Sequence, residues 1–351
     1  MNIVVIGAGY AGLTAALRLD RTNDITLVSA DDHFTERVRL HELAAGRPSV
    51  SVRLAELTRG TGITTVTALV TGIDLDNRLV RTAEGHELPY DRLVYALGSH
   101  TDVSTPGVRD HAYTAETAGK LRARLHGQSG TLAVVGGGLT GIEMAAELAE
   151  AYPAWRVTLV SDGEPGAGLS PRARGHIGRA MARLGVEVSR AEIVKVEEGR
   201  LLTGGGAIEA DVIVWAASFR AAPLAGDEGL PVDERGRVLV DDRLRARSHP
   251  EVSVVGDAAS GLRMSCAVGM PLGAHAADVI NGKDGRFRFR YALQCVSLGR
   301  RDGVIQLVRA DDSPLPLAVT GRAGAWIKEL VVRSTVMALR RPRTLIWLKG
   351  K

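Results

Sequence analysis

The chain has 351 residues and a formal net charge of +4, with 45% hydrophobic and 24% charged residues. At roughly 150 residues per domain, this length predicts two or three domains, each with room for a substantial core. The composition is that of an ordinary globular protein, which excludes a disordered or fibrous chain. The slight positive charge suits nucleic acid, anionic lipid or no particular partner, so it selects none of them.

Cysteine spacing and the N-terminal sequence exclude further classes. The only cysteines, Cys266 and Cys295, are widely separated, which predicts no disulfide framework, no metal cluster and no internal redox disulfide. No apolar run approaches the ~18 residues that cross a bilayer. A strand-like run begins at Asn2, which argues against a signal peptide, and asparagine at this position excludes N-myristoylation. We therefore expect a cytoplasmic protein whose contact with the inner face of the membrane, if any, is peripheral.

Two glycine-rich turns organise the chain. The first is Gly7-Ala8-Gly9-Tyr10-Ala11-Gly12, and the second is Gly136-Gly137-Gly138-Leu139-Thr140-Gly141. Each follows an apolar run, at 3–6 and 132–135, and opens a helical pattern, which is the context of a dinucleotide-binding fingerprint. The first glycine permits the turn, the second lets the backbone approach pyrophosphate, and the third lets helix pack on strand. One copy could be an ordinary connection, but two copies indicate two nucleotide sites.

The segment after the first turn predicts the opening of a dinucleotide-binding domain. A helical pattern covers 11–19, and a second strand covers 25–28. An acidic residue usually ends this second strand and binds the adenosine ribose. Ser29 stands there instead, followed by Asp31 and Asp32, and the sequence does not decide which group holds the ribose.

Loops and strands complete this first domain. Arg37 stands in a charged segment whose default interpretation is a solvated basic loop. A hairpin is predicted over 66–81, around Asp76-Asn77. The run 87–99 ends as a buried strand, and Gly98 at its end allows a ligand to approach closely.

Thr105-Pro106-Gly107 predicts the crossover to a second domain that repeats the first. After the second glycine turn, a helix leads to a strand at 157–160, which ends in Ser161. The strand-like run 211–218 has the same pattern as 91–99. The repeat therefore includes the whole domain and not only its glycines.

The chain then returns to the first domain. The run 252–257 is an apolar strand that ends in Gly256-Asp257. Asp257 either accepts hydrogen bonds from the hydroxyl groups of a nucleotide or caps a helix, and the two glycine turns favour the nucleotide. A helix is predicted within 264–280, with Pro271 near its start.

The last section predicts a small sheet. In 286–291, arginine alternates with aromatic residues at a period of two, which is typical of a half-buried strand. Interleaved basic and aromatic residues also bind single-stranded nucleic acid, which is the alternative. A hairpin at 300–303 and a strand at 304–308 complete the sheet.

The tail is basic and partly apolar. From Gly321 onward it holds eight basic residues and one acidic residue, Glu329. Trp326, Trp347 and other apolar residues accompany these charges, and Pro342 breaks any single helix. Such a segment suits the surface of an anionic membrane, which predicts peripheral contact through residues 322–351. The alternative is a helix that caps the small sheet and leaves its basic face in solvent.

The order of these parts resembles the FAD- and NAD(P)-linked pyridine nucleotide oxidoreductases over nearly the whole chain. It looks closest to the ferroptosis-suppressor type of NAD(P)H:quinone oxidoreductase, a homologue of apoptosis-inducing factor, with type II NADH dehydrogenases more distant. Outside the general cofactor motifs, this likeness rests on VTGIDL at 70–75, AYP at 151–153 before VTLV at 157–160, and GRRDGV at 299–304.

The resemblance implies an α/β fold of two Rossmann-like dinucleotide-binding domains and a small α+β C-terminal domain. The FAD-binding domain would comprise 1–105 and 247–285. The NAD(P)H-binding domain would comprise 106–246, and the C-terminal domain 286–351. Whether the protein is a monomer or a homodimer is left open.

FAD is implied at the first glycine turn. Arg39 matches the flavin-contacting arginine of the family, and Val70 matches a backbone contact near the adenine. The helix within 264–280 would lie along the isoalloxazine ring, with His41 and His275 close to the same place. The implied FAD-binding residues are Gly7, Ala8, Gly9, Tyr10, Ala11, Gly12, Arg39, Val70, Gly98, Asp257, Cys266 and Ala267.

NADH or NADPH is implied at the second turn, with Glu143 facing the nicotinamide. The alternative for Glu143 is an exposed glutamate in the first turns of a helix. Ser161, with Arg172 and Arg174 nearby, is compatible with NADPH, whereas Asp162 argues against a 2′-phosphate. The implied residues are Gly136, Gly138, Leu139, Thr140, Gly141, Glu143 and Ser161, and the catalytic candidates are Glu143, His41 and His275.

The implied activity is that of a flavoenzyme with two half-reactions. Hydride passes from the nicotinamide to the flavin, and the electrons then leave to a quinone. One alternative is a soluble NAD(P)H-dependent reductase of a ferredoxin-like protein. The other is a flavin-containing redox sensor or nucleic-acid-binding protein whose basic tail contacts phosphates.

Overall fold

The computed structural model describes residues 1–48, 50–283, 285–341 and 347–348. Its first elements, in chain order, are β1 (Asn2–Ile6), α1 (Tyr10–Arg18), β2 (Asp24–Ser29), β3 (His33–Thr35), α2 (Leu40–Ala44), β4 (Ser51–Arg53), α3 (Leu54–Leu57), β5 (Thr64–Thr67), β6 (Val70–Asp74), β7 (Leu79–Thr82), β8 (Glu87–Pro89), β9 (Arg92–Tyr95) and β10 (Ser99–Thr101). The next are α4 (Val108–His111), α5 (Ala118–Leu125), β11 (Gly130–Val135), α6 (Leu139–Ala151), β12 (Trp155–Ser161), α7 (Pro171–Arg183), β13 (Glu187–Arg190), β14 (Ile193–Glu197), β15 (Arg200–Thr203), β16 (Gly206–Glu209), β17 (Val212–Trp215), β18 (Phe219–Ala221) and α8 (Leu224–Asp227). The last are β19 (Val252–Val254), α9 (Cys266–Ile280), β20 (Leu293–Ser297), β21 (Gly303–Val308), β22 (Pro314–Thr320) and α10 (Gly321–Arg340).

The first sheet is parallel and five-stranded, in the order β19-β9-β1-β2-β5. Its central strand β1 is buried apart from Asn2, so its sequence is a continuous apolar run and not an alternating one. Helices α1 and α9 are in close contact, because a Cβ on Gly273 would lie 2.1 Å from the Ala11 carbonyl oxygen. Gly256, just after β19, also lies against Ala11. The returning chain therefore meets the first glycine turn.

The second sheet is parallel and four-stranded, in the order β13-β12-β11-β17, and it repeats details of the first. Before β9, an Asp91 carboxylate oxygen accepts a hydrogen bond of 2.7 Å from the Asn2 amide. Before β17, Asp211 accepts one of 2.7 Å from the Thr131 amide. The predicted internal repeat is thus confirmed down to the residues that start its strands.

The third sheet, β20-β21-β22, is antiparallel, and α10 packs against it. The predicted hairpin is confirmed, since Ser297 pairs with Gly303 across its turn. α10 ends at Arg340, as Pro342 predicted, although Pro342 itself lies outside the described residues. In the described part of the chain, no helix is long and apolar enough to span a bilayer.

The strand predicted at 286–291 is wrong. The arginines are exposed, and Phe287, Phe289 and Tyr291 turn inward, so the alternation itself is present. However, the Phe287 amide donates to the Asp242 carbonyl (2.6 Å), and the Arg290 amide donates to the Leu348 carbonyl (3.0 Å). These bonds go to separate segments, so the extended chain joins no sheet.

Two smaller predictions are also corrected. Residues 66–75 do not form one arm of a hairpin, because Val66 belongs to β5 of the parallel sheet and the hairpin begins with β6. Pro271 is the sixth residue of α9 and lies inside the helix. The helix starts at Cys266, so more than one full turn precedes the proline.

Candidate active site

The first glycine turn has the shape of a phosphate-binding loop. Gly7 has φ +98°, and a Cβ there would lie 2.4 Å from the Ala96 carbonyl oxygen. A Cβ on Gly12 would lie 2.0 Å from the Gly7 carbonyl oxygen. By contrast, a Cβ on Gly9 would meet nothing within 4 Å. Two of the glycines are therefore required by packing, and the middle one faces open space.

The second turn repeats this geometry. Gly136 has φ +125° and lies against Ala216, while a Cβ on Gly141 would lie 1.9 Å from the Gly136 carbonyl oxygen. A Cβ on Gly138 would meet nothing within 4 Å. Neither α1 nor α6 has a capping side chain or an acidic residue in its first turn. Their free amide groups suit pyrophosphate, so both turns fit a dinucleotide.

Polar groups collect where β19 and α9 meet the first turn. Asp257 accepts a hydrogen bond of 2.6 Å from the Ser99 hydroxyl, and burial raises its pKa. The Ser265 hydroxyl, at the N-terminus of α9, is buried without a hydrogen-bond partner among the described residues. Burial, and then Asp257, raise the pKa of the Cys266 thiol to about 11. An unsatisfied buried hydroxyl beside a carboxylate fits a polar cofactor at this place.

Glu143 lies at the junction of the two nucleotide sites with the C-terminal sheet. Its Oε1 accepts a hydrogen bond of 3.0 Å from the Ser297 amide and forms an ion pair with Lys328. Its Oε2 lies 3.8 Å from His41 Nδ1. Only 14% of its side chain is exposed. The alternative of an exposed glutamate in the first turns of the helix is therefore wrong.

Lys328 is a site residue that the sequence interpretation missed. It is 8% exposed and stands on the buried face of α10, with Gly324 and Val332 one turn to either side. The sequence signal for its burial is the spacing of four residues that separates it from Gly324 and from Val332 on one helical face. The other basic residues of the tail instead indicated one solvated surface.

The two predicted histidines are in different environments. His41 is 4% exposed beside Glu143, and its Nε2 has no hydrogen-bond partner among the described residues. Burial, and then Lys328 and Arg300, lower its pKa well below 6.5, so the ring is neutral. His275 packs against Phe287, with ring centroids 5.3 Å apart. It is nine residues from Cys266, or about 13 Å along the helix. The two histidines thus contact different groups, and their shared place beside the flavin stays a prediction.

Arg39 is buried, and carboxylates surround its guanidinium group. Nε contacts Glu36 (3.1 Å), Nη1 contacts Glu42 (2.9 Å), and both Nη atoms contact Glu329 (2.9 and 3.0 Å). Arg37, in contrast, is exposed and pairs with Glu116 at 2.9 Å. The solvated-loop interpretation thus suits Arg37 only. Arg39 ties the segment before α2 to α10, and its contact with the flavin stays a prediction.

A polar network extends from Glu143 along one face of α6. Glu147 accepts a hydrogen bond of 2.9 Å from the Ser297 hydroxyl and lies 3.3 Å from Arg300. Glu150 accepts one of 2.9 Å from the Arg300 amide. Arg300 also reaches Glu42 of α2, at 3.2 Å. Parts of the chain far apart in sequence are thereby joined around Glu143.

The other predicted cofactor residues lie on or near the two turns. Ala8, Tyr10 and Ala11 are buried in the first turn and α1, and Val70 begins β6. Gly98 has φ +68° just after β9. Leu139 and Thr140 start α6, and Ala267 is exposed in the first turn of α9. Ser161 is buried beneath the second turn, since a Cβ on Gly137 would lie 2.0 Å from its hydroxyl oxygen.

A family model for pyridine nucleotide-disulphide oxidoreductases matches residues 1–277. The chain is 36% identical over 325 residues to an NADH dehydrogenase-like protein of Mycobacterium tuberculosis, and the match covers 80% of each chain. It is 28% identical over 345 residues to human ferroptosis suppressor protein 1, covering 88% of each. It is 26% identical over 385 residues to the type II NADH:quinone oxidoreductase of Staphylococcus haemolyticus, covering 94% of each. These matches confirm the resemblance predicted from the sequence.

The fold is similar to that of NDH2 from Plasmodium falciparum, solved in complex with NADH. The TM-score is 0.83 at 15% sequence identity, and the match covers 97% of this chain and 96% of that chain. The predicted fold class, with two Rossmann-like domains, is thereby confirmed.

Proposed function

The chain belongs to the pyridine nucleotide-disulphide oxidoreductase family, and from this premise we propose that it is an FAD-dependent NAD(P)H oxidoreductase that reduces a quinone. The observation that carries the proposal is the pair of glycine turns with the same steric pattern, each with an open middle glycine. The two sites are linked in space, because Glu143, beside the second turn, lies 3.8 Å from His41, two residues after the flavin-site candidate Arg39. A hydride donor and an acceptor bound there would be neighbours.

The overall reaction converts NAD(P)H, a proton and a quinone into NAD(P)⁺ and a quinol. Bound FAD would supply a two-electron carrier that takes hydride from nicotinamide C4 at its N5 and returns both electrons to the quinone. The names of relatives support the quinone, notably the type II NADH:quinone oxidoreductase of Staphylococcus haemolyticus.

The chain's own residues bind and orient the reactants. The amides at the start of α1 hold the FAD pyrophosphate, and Asp257 accepts hydrogen bonds from ribityl hydroxyl groups. The amides at the start of α6 hold the NAD(P)H pyrophosphate. Glu143, fixed by Ser297 and Lys328, orients the nicotinamide. The unpaired Nε2 of His41 provides a hydrogen-bonding group for a ligand, whereas His275 has a packing role.

We assign the FAD-binding domain to 1–105 and 247–285, the NAD(P)H-binding domain to 106–246 and the C-terminal domain to 286–351. The pairing of β19 with β9 supports the return of the chain to the first domain. Of the last domain, residues 342–346 and 349–351 lie outside the described part.

We further propose peripheral contact with an anionic membrane, on its cytoplasmic face, through α10. Trp326, Leu330 and Met337 are 66%, 46% and 62% exposed, and Arg333 stands between them on the same helical face. The opposite face, which carries Lys328, packs into the protein. The helix therefore has both features that the sequence offered as alternatives: it caps the sheet, and it presents a basic apolar face.

Steady-state oxidation of NADH with different acceptors tests the proposed acceptor. With FAD bound, we expect rapid turnover with a short-chain quinone and slow turnover with a ferredoxin-like protein. The opposite preference would replace the quinone with the protein acceptor. Turnover with neither would remove the oxidoreductase proposal.

A further inference from the structure

We propose that a second ligand site, for a phosphate ester, lies in the cavity between α7, the β20–β21 hairpin and the start of α10. The cavity has a volume of about 470 Å³ and is remote in sequence from both glycine turns. Arg183, Arg301 and Arg322 line it, together with His176, Asp302 and Glu150. Neither the proposed reaction nor the family match assigns it a ligand.

The acidic groups of the cavity are already paired. Asp302 receives hydrogen bonds from Arg183 Nη2 (2.6 Å) and from the Gly303 amide (2.7 Å), and it lies 2.7 Å from His176 Nε2. Glu150 accepts a hydrogen bond of 2.9 Å from the Arg300 amide. The carboxylates are therefore committed to groups of the protein itself.

Two arginines of the cavity are left without such partners. In the part of the chain that the structure describes, the side chains of Arg301 and Arg322 have neither a hydrogen bond nor an ion pair. Arg301 comes from the hairpin and Arg322 from the first turn of α10, so two arginines from different elements line one cavity. Guanidinium binds phosphate through paired hydrogen bonds, which makes an oxyanion the fitting ligand.

The surrounding surface favours an anion as well. Helix α7 contains four arginines and no acidic residue. Arg172, His176, Arg179 and Arg183 recur at the spacing of one helical face, which leads to the cavity. A row of like charges raises the local concentration of anions and steers them towards the site.

The cavity adjoins the exposed apolar face of α10. Trp326 follows Arg322 by one helical turn. A phospholipid headgroup could therefore enter while Trp326 contacts acyl chains, and a free phosphate would offer the arginines the same chemistry. The cavity is of a size that holds small ligands.

Paired arginine substitutions test the site in the FAD-loaded protein with NAD⁺ present, so that both dinucleotide sites are filled. The cavity variant is Arg301→Gln/Arg322→Gln. The control, Arg59→Gln/Arg109→Gln, removes the same charge from exposed positions that neither line the cavity nor belong to α7. Binding to vesicles of equimolar phosphatidylcholine and phosphatidate is measured by sedimentation, and binding of inorganic phosphate is measured by calorimetry.

We expect the cavity variant to bind at least about tenfold more weakly and the control to change less than about threefold. If the cavity variant loses affinity for vesicles alone, the ligand is a lipid headgroup. If it loses affinity for both vesicles and inorganic phosphate, the site binds phosphate from either source. Equal loss in the control, or no binding of either probe by the unaltered protein, would overturn the site. NADH–quinone turnover, measured on the same samples, tests the fold and the proposed function separately.

Discussion

Glu143 and Lys328 form an ion pair although 185 residues separate them in the chain. One belongs to the helix that opens at the second glycine turn, and the other to the C-terminal helix. The neighbouring residue Glu329 pairs with Arg39, before α2. Helix α10 is thus anchored to both nucleotide-binding parts through two consecutive side chains. The C-terminal segment therefore contacts residues of the candidate active site in addition to covering the small sheet.

Breaking this ion pair should destabilise the fold. Lys328→Met leaves a buried carboxylate without its cation, and we expect the free energy of unfolding to fall by about 3 kcal/mol. The measurement is urea unfolding followed by circular dichroism. Adding Glu143→Gln removes the unpaired charge, so the double variant should lose less than the sum of the two single losses. Additive losses would show that the two side chains are not coupled.

The glycine turns predict selective loss of one nucleotide at a time. A Cβ at Gly9 or Gly138 meets no protein atom, so alanine is tolerated by the fold but occupies the space of a phosphate. Gly9→Ala should weaken FAD binding about tenfold or more, and Gly138→Ala should raise the KM for NADH while FAD stays bound. Gly12→Ala is the contrasting variant, because its Cβ would meet backbone at 2.0 Å and prevent folding. Equal effects of Gly9→Ala and Gly138→Ala on both nucleotides would contradict the assignment.

His41 should make stability depend on pH. Its pKa in the folded protein lies well below 6.5 because it is buried among cations. Unfolding below pH 6.5 therefore takes up a proton, so the stability that the neutral ring contributes is complete above that pH and is lost as pH falls. Nuclear magnetic resonance should show a His41 ring that stays neutral below about pH 6. His41→Gln should reduce the dependence of unfolding free energy on pH, and an unchanged dependence would argue against a neutral ring.

The outer face of α10 predicts binding to anionic vesicles. Replacing Trp326 and Met337 by alanine removes two side chains that are more than half exposed, so folding should be kept and vesicle binding weakened about tenfold. Leu69→Ala is the control, since Leu69 is 54% exposed in the connection between β5 and β6, away from α10 in the sequence. Sedimentation with anionic vesicles measures the difference. Equal vesicle binding by the unaltered protein, the Trp326/Met337 variant and the Leu69 variant would contradict membrane contact through α10. The helix would then only cap the small sheet.

Local steric rules explain what the sequence predicted well. Glycine is required at positions 7, 12, 136 and 141 because a Cβ there would clash with backbone atoms of nearby segments. The spacing of these glycines therefore indicated the two turns. Glu143 follows the second turn at a fixed distance on one helix, which is why its place was predictable too. Asp257 lies three residues after β19, in the run predicted at 252–257 but beyond the strand itself.

Long-range partners explain what the sequence did not predict. Whether 286–291 forms a strand depends on a neighbouring strand, which alternation within the segment cannot reveal. Burial of Lys328 depends on β20 and β21 beneath α10, whereas its basic neighbours suggested a solvated surface.

Anaerobic reduction of the flavin tests the central claim most directly. The purified protein, loaded with FAD, is mixed with NADH and then with a short-chain quinone while its visible spectrum is recorded. We expect the flavin absorbance to bleach with NADH and to recover with the quinone. Bleaching without recovery would contradict the quinone, and a protein that cannot bind FAD would contradict the whole account.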